Sequence, residues 1–254
     1  MSRDETSGVA IETSRSEPAG WGFEPRWLLI IMVSVPLAAT LFWWVGVRYF
    51  GSRLQFLEYQ QFAAVVTVGV AGGYQLYFWV QRNRFRRRAV CLKISLDDRI
   101  PFVPEWIWLY SFLYYLMMGV TVVSIQDLAE GVRIIFGGLV LLVTGCAIFY
   151  FFPTYVPHKF RKFEANTLST RYLAFVQSMD NDRNAFPSMH CALATYVGLV
   201  VMDLPIIGIW IGSVYIGFIL ISCLLVKQHV IADTVAGVAL GTLIFYLNLV
   251  LNTG

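Results

Sequence analysis

Residues 204–226 read LPIIGIWIGSVYIGFILISCLLV, 23 consecutive positions with no Asp, Glu, Lys or Arg. A helix rises 1.5 Å per residue, so about 20 apolar residues cross the hydrocarbon core of a bilayer. This stretch therefore predicts a spanning helix. After a polar break, Lys227-Gln228-His229, another apolar stretch runs Val230–Leu251. On the N-terminal side lie Trp27–Val47, Phe62–Val80, Trp106–Ile125 and Ile134–Phe152, and then the shorter Cys191–Met202. The short stretch has only 12 residues, but Phe186–His190 just before it can extend the helix into the interface. The expectation is an all-α, polytopic transmembrane helical bundle of about seven spans. Trp43, Trp44 and Tyr49, and again Trp106, Trp108 and Tyr110, crowd the ends of stretches, as interfacial aromatic belts do.

Composition agrees. Of 254 residues, 57% are hydrophobic, 16% aromatic and only 14% charged, with a mean hydropathy of +0.64. An ordinary soluble domain carries roughly 25% charged residues. These values exclude a disordered chain, a nucleic-acid binder and an ordinary cytosolic enzyme. Residues 1–26 are polar and read as a flexible tail, with no apolar core and cleavage site of a signal peptide. Residues 27–254 read as one transmembrane domain. Cys91, Cys146, Cys191 and Cys223 are scattered, with no C-x-x-C pair. Neither a disulfide framework nor a zinc site is expected, and cysteines in apolar stretches serve as small hydrophobes.

The basic residues are unevenly distributed. Only Arg48, Arg53 and Arg133 of the 19 Lys and Arg fall at the gaps after the first and third stretches. The other 16 lie in the N-terminal tail and the gaps after the second, fourth and sixth, including the run Arg82–Arg88. Cytoplasmic loops carry the excess of Lys and Arg. The tail and those three gaps are therefore expected in the cytoplasm, and the Arg82–Arg88 run is expected to be a solvated loop touching anionic headgroups. The gap 82–105 ends in Asp97-Asp98-Arg99-Ile-Pro101-Phe-Val-Pro104-Glu105, whose prolines and acids predict an interfacial lead into the third span.

All three histidines, His158, His190 and His229, fall in gaps expected on that same face. In Asn184-Ala-Phe-Pro187-Ser188-Met-His190, Pro187 suits the first position of a helix and Ser188 adds a hydroxyl. The free N–H groups of a helix start favour an anion. His190, about one turn in, would donate a proton to whatever is held there. A capped helix with an interfacial His is the structural alternative. In Lys227-Gln-His229-Val-Ile-Ala-Asp233, His229 and Asp233 are four apart and share a face if helical. Asp233 is costly in an apolar stretch unless paired. A carboxylate that accepts from one imidazole nitrogen frees the other as nucleophile or base. A buried Asp satisfied by His for packing alone is the alternative. Gly237 and Gly241, at G-x-x-x-G spacing, point to close helix packing. His158, Lys159, Arg161 and Lys162 follow the fourth stretch and would supply donors to phosphate oxygens. No carboxylate cluster suits magnesium and no nucleotide loop is present, so neither a metal nor a cofactor is expected.

Phe186-Pro187-Ser188-Met189-His190 and Lys227-Gln-His229-x-x-x-Asp233-x-x-x-Gly237 resemble the second and third motifs of the type 2 phosphatidic acid phosphatase superfamily. The similarity extends loosely over residues 100–250. The resemblance implies a six-helix phosphatase-like core, with the catalytic core in 100–251, and a membrane lipid phosphate as substrate. It implies His229 as the nucleophile that forms a phosphohistidine, Asp233 as its partner, His190 as general acid and Ser188 as a phosphate ligand. Lys227, Lys159 and His158 are the further candidate phosphate ligands. The first family motif, K-x6-RP, is absent after the fourth stretch. Pro157-His158-Lys159 stands there, and Lys93-x5-Arg99-x-Pro101 is a partial look-alike. Met189 replaces a glycine, and Ser222-Cys223 replaces a Ser-Arg pair. These departures are similar to the branch that holds inositol phosphorylceramide synthases, in which a lipid or alcohol rather than water accepts the phosphoryl group. A polyisoprenoid pyrophosphate phosphatase is an alternative within the same chemistry. A non-catalytic transporter or scaffold of the same fold is a further one. The expected location is an integral, multi-pass position in the cell membrane with the site on the cytoplasmic face.

Overall fold

The computed structural model describes residues 25–83, 85, 88–178, 184–204 and 208–252. Nearly all of the expected polar tail, as well as Arg84, Arg86 and Arg87 of the basic run, lies outside these residues. Among these residues eight α-helices follow in order: α1 Pro25–Val45, α2 Phe56–Arg82, α3 Tyr114–Ser124, α4 Leu128–Phe151, α5 Leu168–Ser178, α6 Met189–Met202, α7 Gly208–Leu225 and α8 Ile231–Asn252. Among the described residues no strand forms, and Val90 and Thr154 make one isolated parallel bridge. The chain is an all-α helical bundle, with six helical segments among the described residues long and apolar enough to cross a membrane. Two of these include irregular turns. α1 runs on into a π-helical turn, Gly46–Phe50, and α3 is preceded by a 3₁₀ turn, Pro104–Trp106, and a π turn, Leu109–Leu113.

α6 is the seventh apolar helix, with 14 residues. At 1.5 Å per residue it is about 21 Å long, short of the roughly 30 Å hydrocarbon core. Its surroundings explain its composition. Cys191, Ala192, Ala194, Thr195, Tyr196, Val197, Gly198 and Val201 are all buried, so α6 is walled by helices rather than by lipid. It packs most extensively against α7 and α8. A Cβ on Gly237 would stand 2.5 Å from the Ser188 carbonyl oxygen and 2.9 Å from Cys191 Cβ. A Cβ on Gly241 would collide with the Ala192 carbonyl. The G-x-x-x-G pair therefore lets α8 lie directly on the first turns of α6.

Loop contacts sort the two ends of the bundle. At one end the Arg53 N–H donates to the Gln126 carbonyl at 2.8 Å, and its side chain pairs with Asp127 at 3.0 Å. This joins the gaps after α1 and α3. At the other end the Val90 N–H donates to the Pro153 carbonyl at 3.0 Å, and the Ser188 N–H to the Asp233 carbonyl at 2.9 Å. The gaps after α2, α4 and α7 and the start of α6 thus share one end, the end that holds the candidate site residues.

Helix limits differ from the apolar stretches where charged residues join helix ends. α2 starts six residues before Phe62 and includes Glu58 and Arg82, and α4 includes Glu130 and Arg133. The Asp127 side chain accepts from the Glu130 N–H and caps α4.

Candidate active site

The site assembles where three segments meet. Ser188 is the N-cap of α6, and its Oγ accepts from the Cys191 N–H at 3.2 Å. Pro187 therefore precedes the cap instead of occupying the first helical position, and His190 is only the second residue of the helix. A serine hydroxyl that accepts still carries an O–H donor. The Ser188–Asp233 backbone bond and Gly237 fix this first turn against α8.

His229 does not lie on α8, contrary to the expectation of a shared helical face. Helix α7 ends at Leu225, and Lys227 adopts a left-handed φ of 58°. The N–H groups of Gln228 and His229 turn back onto the Cys223 carbonyl at 3.1 and 3.3 Å. The chain then enters α8 at Ile231. Asp233 Oδ2 accepts from the Val230 N–H at 3.1 Å and stands 3.7 Å from His229 Nδ1. The second distance is too long for a hydrogen bond and is an electrostatic contact between side chains only 10% and 2% exposed. The four-residue spacing still brings the two together, through a capping turn rather than a helix face. The rings of His190 and His229 have centroids 6.3 Å apart.

The remaining candidates sit around this pair. Lys227 is 6% exposed, and its Nζ donates to the carbonyls of Asp97 at 2.9 Å and Ile100 at 2.6 Å. It also stands 4.7 Å from the centroid of Phe160. Burial pushes the Lys227 pKa down, and the Asp97 and Asp98 carboxylates oppose that shift. Lys159 is exposed, and its Nζ pairs with Asp98 Oδ1 at 2.6 Å, while Lys93 pairs with Asp98 Oδ2 at 2.5 Å. Hydrogen bonds from Lys159 and Lys93 hold the Asp98 carboxyl below its ordinary pKa. His158 opens the 3₁₀ turn His158–Arg161, is exposed, and has its ring 6.1 Å from that of Tyr155. Lys93 of the partial first-motif look-alike is thus engaged with Asp98, and Arg99 is exposed. Among the described residues, no group of three or more His, Cys, Asp or Glu is placed to hold a metal ion. Cys191 and Cys223 are free, fully buried thiols with sulfurs 3.6 Å apart.

Two features escaped the sequence. Asp97, 1% exposed, accepts from the Ile231 N–H at 2.8 Å through Oδ1 and from the Ile94 N–H at 2.7 Å through Oδ2. It caps the helix that carries Asp233 from 134 residues away. Nothing local marked it beyond an acid beside prolines. Leaving these two part-buried N–H groups without the carboxylate costs up to about 1–3 kcal/mol each. Asp97→Ala should therefore lower Tm by several degrees in detergent, read by tryptophan fluorescence. An unchanged Tm would contradict this role. The second feature is Tyr110, which the sequence places in an interfacial belt. It is 5% exposed and stacks on His190 with centroids 4.4 Å apart.

The arrangement is a His–Asp pair, a facing His and a cluster of lysines at one end of a membrane bundle. Such a set can accept and donate protons around an anion without a clustered metal site. No curated protein and no solved structure matches the chain. Residues 99–247, well over half of the chain, match the PAP2 superfamily. That stretch contains both histidine motifs, and the chain therefore belongs to the PAP2 superfamily.

Proposed function

We propose that this protein is an integral-membrane lipid phosphatase or phosphotransferase that works through a phosphohistidine on His229. The observation that carries the reading is the placement of Asp233, 3.7 Å from His229 Nδ1, with the His190 ring 6.3 Å from that of His229. The Asp233 carboxylate favours the proton on Nδ1 and leaves the Nε2 lone pair as nucleophile. Nε2 attacks the phosphorus of a membrane lipid phosphate. The N–P bond forms, the P–O bond to the leaving group breaks, and His190 gives its proton to the departing oxygen. An acceptor hydroxyl then attacks the phosphohistidine, returns its proton to His190 and frees His229. The Ser188 hydroxyl would donate to a phosphate oxygen. Lys227, Lys159 and His158 would supply further donors, with Lys159 exchanging Asp98 for the substrate. The residues that hold the lysines meanwhile are carbonyls and one exposed carboxylate, which a phosphate dianion can displace.

Water as acceptor makes the protein a phosphatase, and a lipid or alcohol makes it a phosphotransferase. Met189, Ser222-Cys223 and the Ile100-Pro-Phe-Val-Pro104 lead into the third span favour the transferase branch, similar to inositol phosphorylceramide synthases. The test is incubation of the purified protein with a panel of lipid phosphates, with and without alcohol acceptors, in EDTA, followed by mass spectrometry. Phosphate release marks a phosphatase and head-group exchange a transferase. No turnover of any lipid phosphate would end the reading, as would activity lost in EDTA and restored by magnesium.

The proposed location of the site is the cytoplasmic face. The loops that meet there hold most of the basic excess, and the opposite end of the bundle carries only Arg48, Arg53 and Arg133 of the 19 Lys and Arg. Ser178, exposed at the end of α5, supplies the probe. With native cysteines replaced, Ser178→Cys should resist a membrane-impermeant thiol reagent in intact cells and react after permeabilisation. Labelling of intact cells would put the site outside.

A further inference from the structure

We infer that Tyr110 is the positioning residue for the proton donor His190, an inference that rests on the reading of His190 as general acid. The Tyr110 hydroxyl oxygen lies 3.0 Å from His190 Nδ1, and the two rings are stacked at 4.4 Å with 27° between their planes. Tyr114, one turn on, brings a second ring to 5.4 Å from His190. The helix is wound as a π turn at Leu109–Leu113, where Tyr110 sits. Single π turns inside helices often occur at functional sites. His190 is thus held by two aromatic rings from this helix and faces His229 on another side.

The two imidazoles are backed differently. A carboxylate stands behind His229 Nδ1, which suits a nucleophile whose positive charge must be stabilised once phosphorylated. A neutral phenol stands against His190 Nδ1, which orients the ring without adding charge. In the charged ring, Nδ1–H donates to the Tyr110 oxygen and Nε2–H is free to leave. Once Nε2 has given its proton to the departing oxygen, Nδ1–H still donates to Tyr110, and the bare Nε2 takes the proton of the acceptor. Tyr110 thereby confines proton exchange to one nitrogen and fixes the direction in which it points.

A residue that aims the acid matters most when the leaving group needs a proton. Phosphatidic acid expels an alkoxide, which needs one, whereas 4-nitrophenyl phosphate expels a stable phenolate. The full-length protein in detergent is assayed on both probes, with kcat/KM reporting the step that expels the leaving group. His190→Ala should lose roughly 10²-fold or more on phosphatidic acid and far less on 4-nitrophenyl phosphate. Tyr110→Phe keeps the ring stack and removes only the hydroxyl. Its loss should be about tenfold greater on phosphatidic acid than on 4-nitrophenyl phosphate, and the double variant should be no slower than His190→Ala. Equal losses of Tyr110→Phe on the two probes, no loss on either, or losses that multiply in the double variant would each overturn the role of Tyr110. Equal losses for His190→Ala itself would instead remove the general acid, and this inference with it.

Discussion

His229→Ala is expected to lower turnover of a lipid phosphate by roughly 10³-fold or more, because it removes the atom that bonds to phosphorus. The fold should survive. The His229 backbone N–H, not its ring, makes the turn onto the Cys223 carbonyl, and alanine retains it. The side chain is 10% exposed and approaches Asp233 at 3.7 Å without a hydrogen bond to it. Size-exclusion elution and far-UV circular dichroism should match the wild type while phosphate release or head-group exchange disappears. Turnover near the wild-type rate would end the covalent mechanism. Combining His229→Ala with His190→Ala should cost little more than the first change alone, since groups that act as a unit do not lose additively.

Asp233→Asn separates charge from geometry. The amide oxygen can still accept from the Val230 N–H, and the backbone carbonyl still accepts from the Ser188 N–H. The start of α8 and its tie to α6 therefore persist. The negative charge beside His229 Nδ1 is lost, and with it the preference for the proton on that nitrogen. A carboxylate-to-amide change behind a catalytic imidazole costs about 10⁴-fold in a well-studied hydrolase. Here the 3.7 Å separation is looser than a hydrogen bond, so a loss nearer 10²- to 10³-fold is expected. The measurement is kcat on one lipid phosphate beside Tm. A large fall in kcat with Tm held within about two degrees supports tautomer control. A parallel fall in both would mean that Asp233 serves the fold rather than the chemistry.

The bundle was legible because the bilayer punishes charge within a span, so apolar stretches mark helices directly. The ends were less so. Glu58, Arg82 and Glu130 are polar enough to end a hydropathy window, yet all three are helical at the water boundary. The short Cys191–Met202 stretch looked marginal as a span because length was weighed against lipid, while α6 lies among other helices. Spacing brought Ser188, His190, His229 and Asp233 into view, since each pair is close in sequence. It could not show that His229 precedes its helix, which depends on the left-handed turn at Lys227. Asp97 and Tyr110 stayed hidden for a different reason. Their partners, Ile231 and His190, are 134 and 80 residues away, and no local pattern encodes such contacts. An acid beside prolines and a tyrosine near a span end both have ordinary interfacial explanations. The Arg82–Arg88 run reads as solvated and lipid-facing, and Lys159 and Lys227 as phosphate donors. No local pattern shows that Lys93 and Lys159 both pair with Asp98, or that the carbonyls of Asp97 and Ile100 hold Lys227.

The central claim is the bond between phosphorus and His229, and trapping that bond tests it most directly. Purified protein is mixed with phosphatidic acid carrying a radiolabelled phosphate and quenched in strong base within milliseconds, since phosphohistidine survives base and hydrolyses in acid. Label should stay with the protein, fall away on acidification, map to the peptide containing His229, and be absent from His229→Ala. Label on any other residue, or turnover with no protein-bound phosphate at any quench time, would contradict the mechanism.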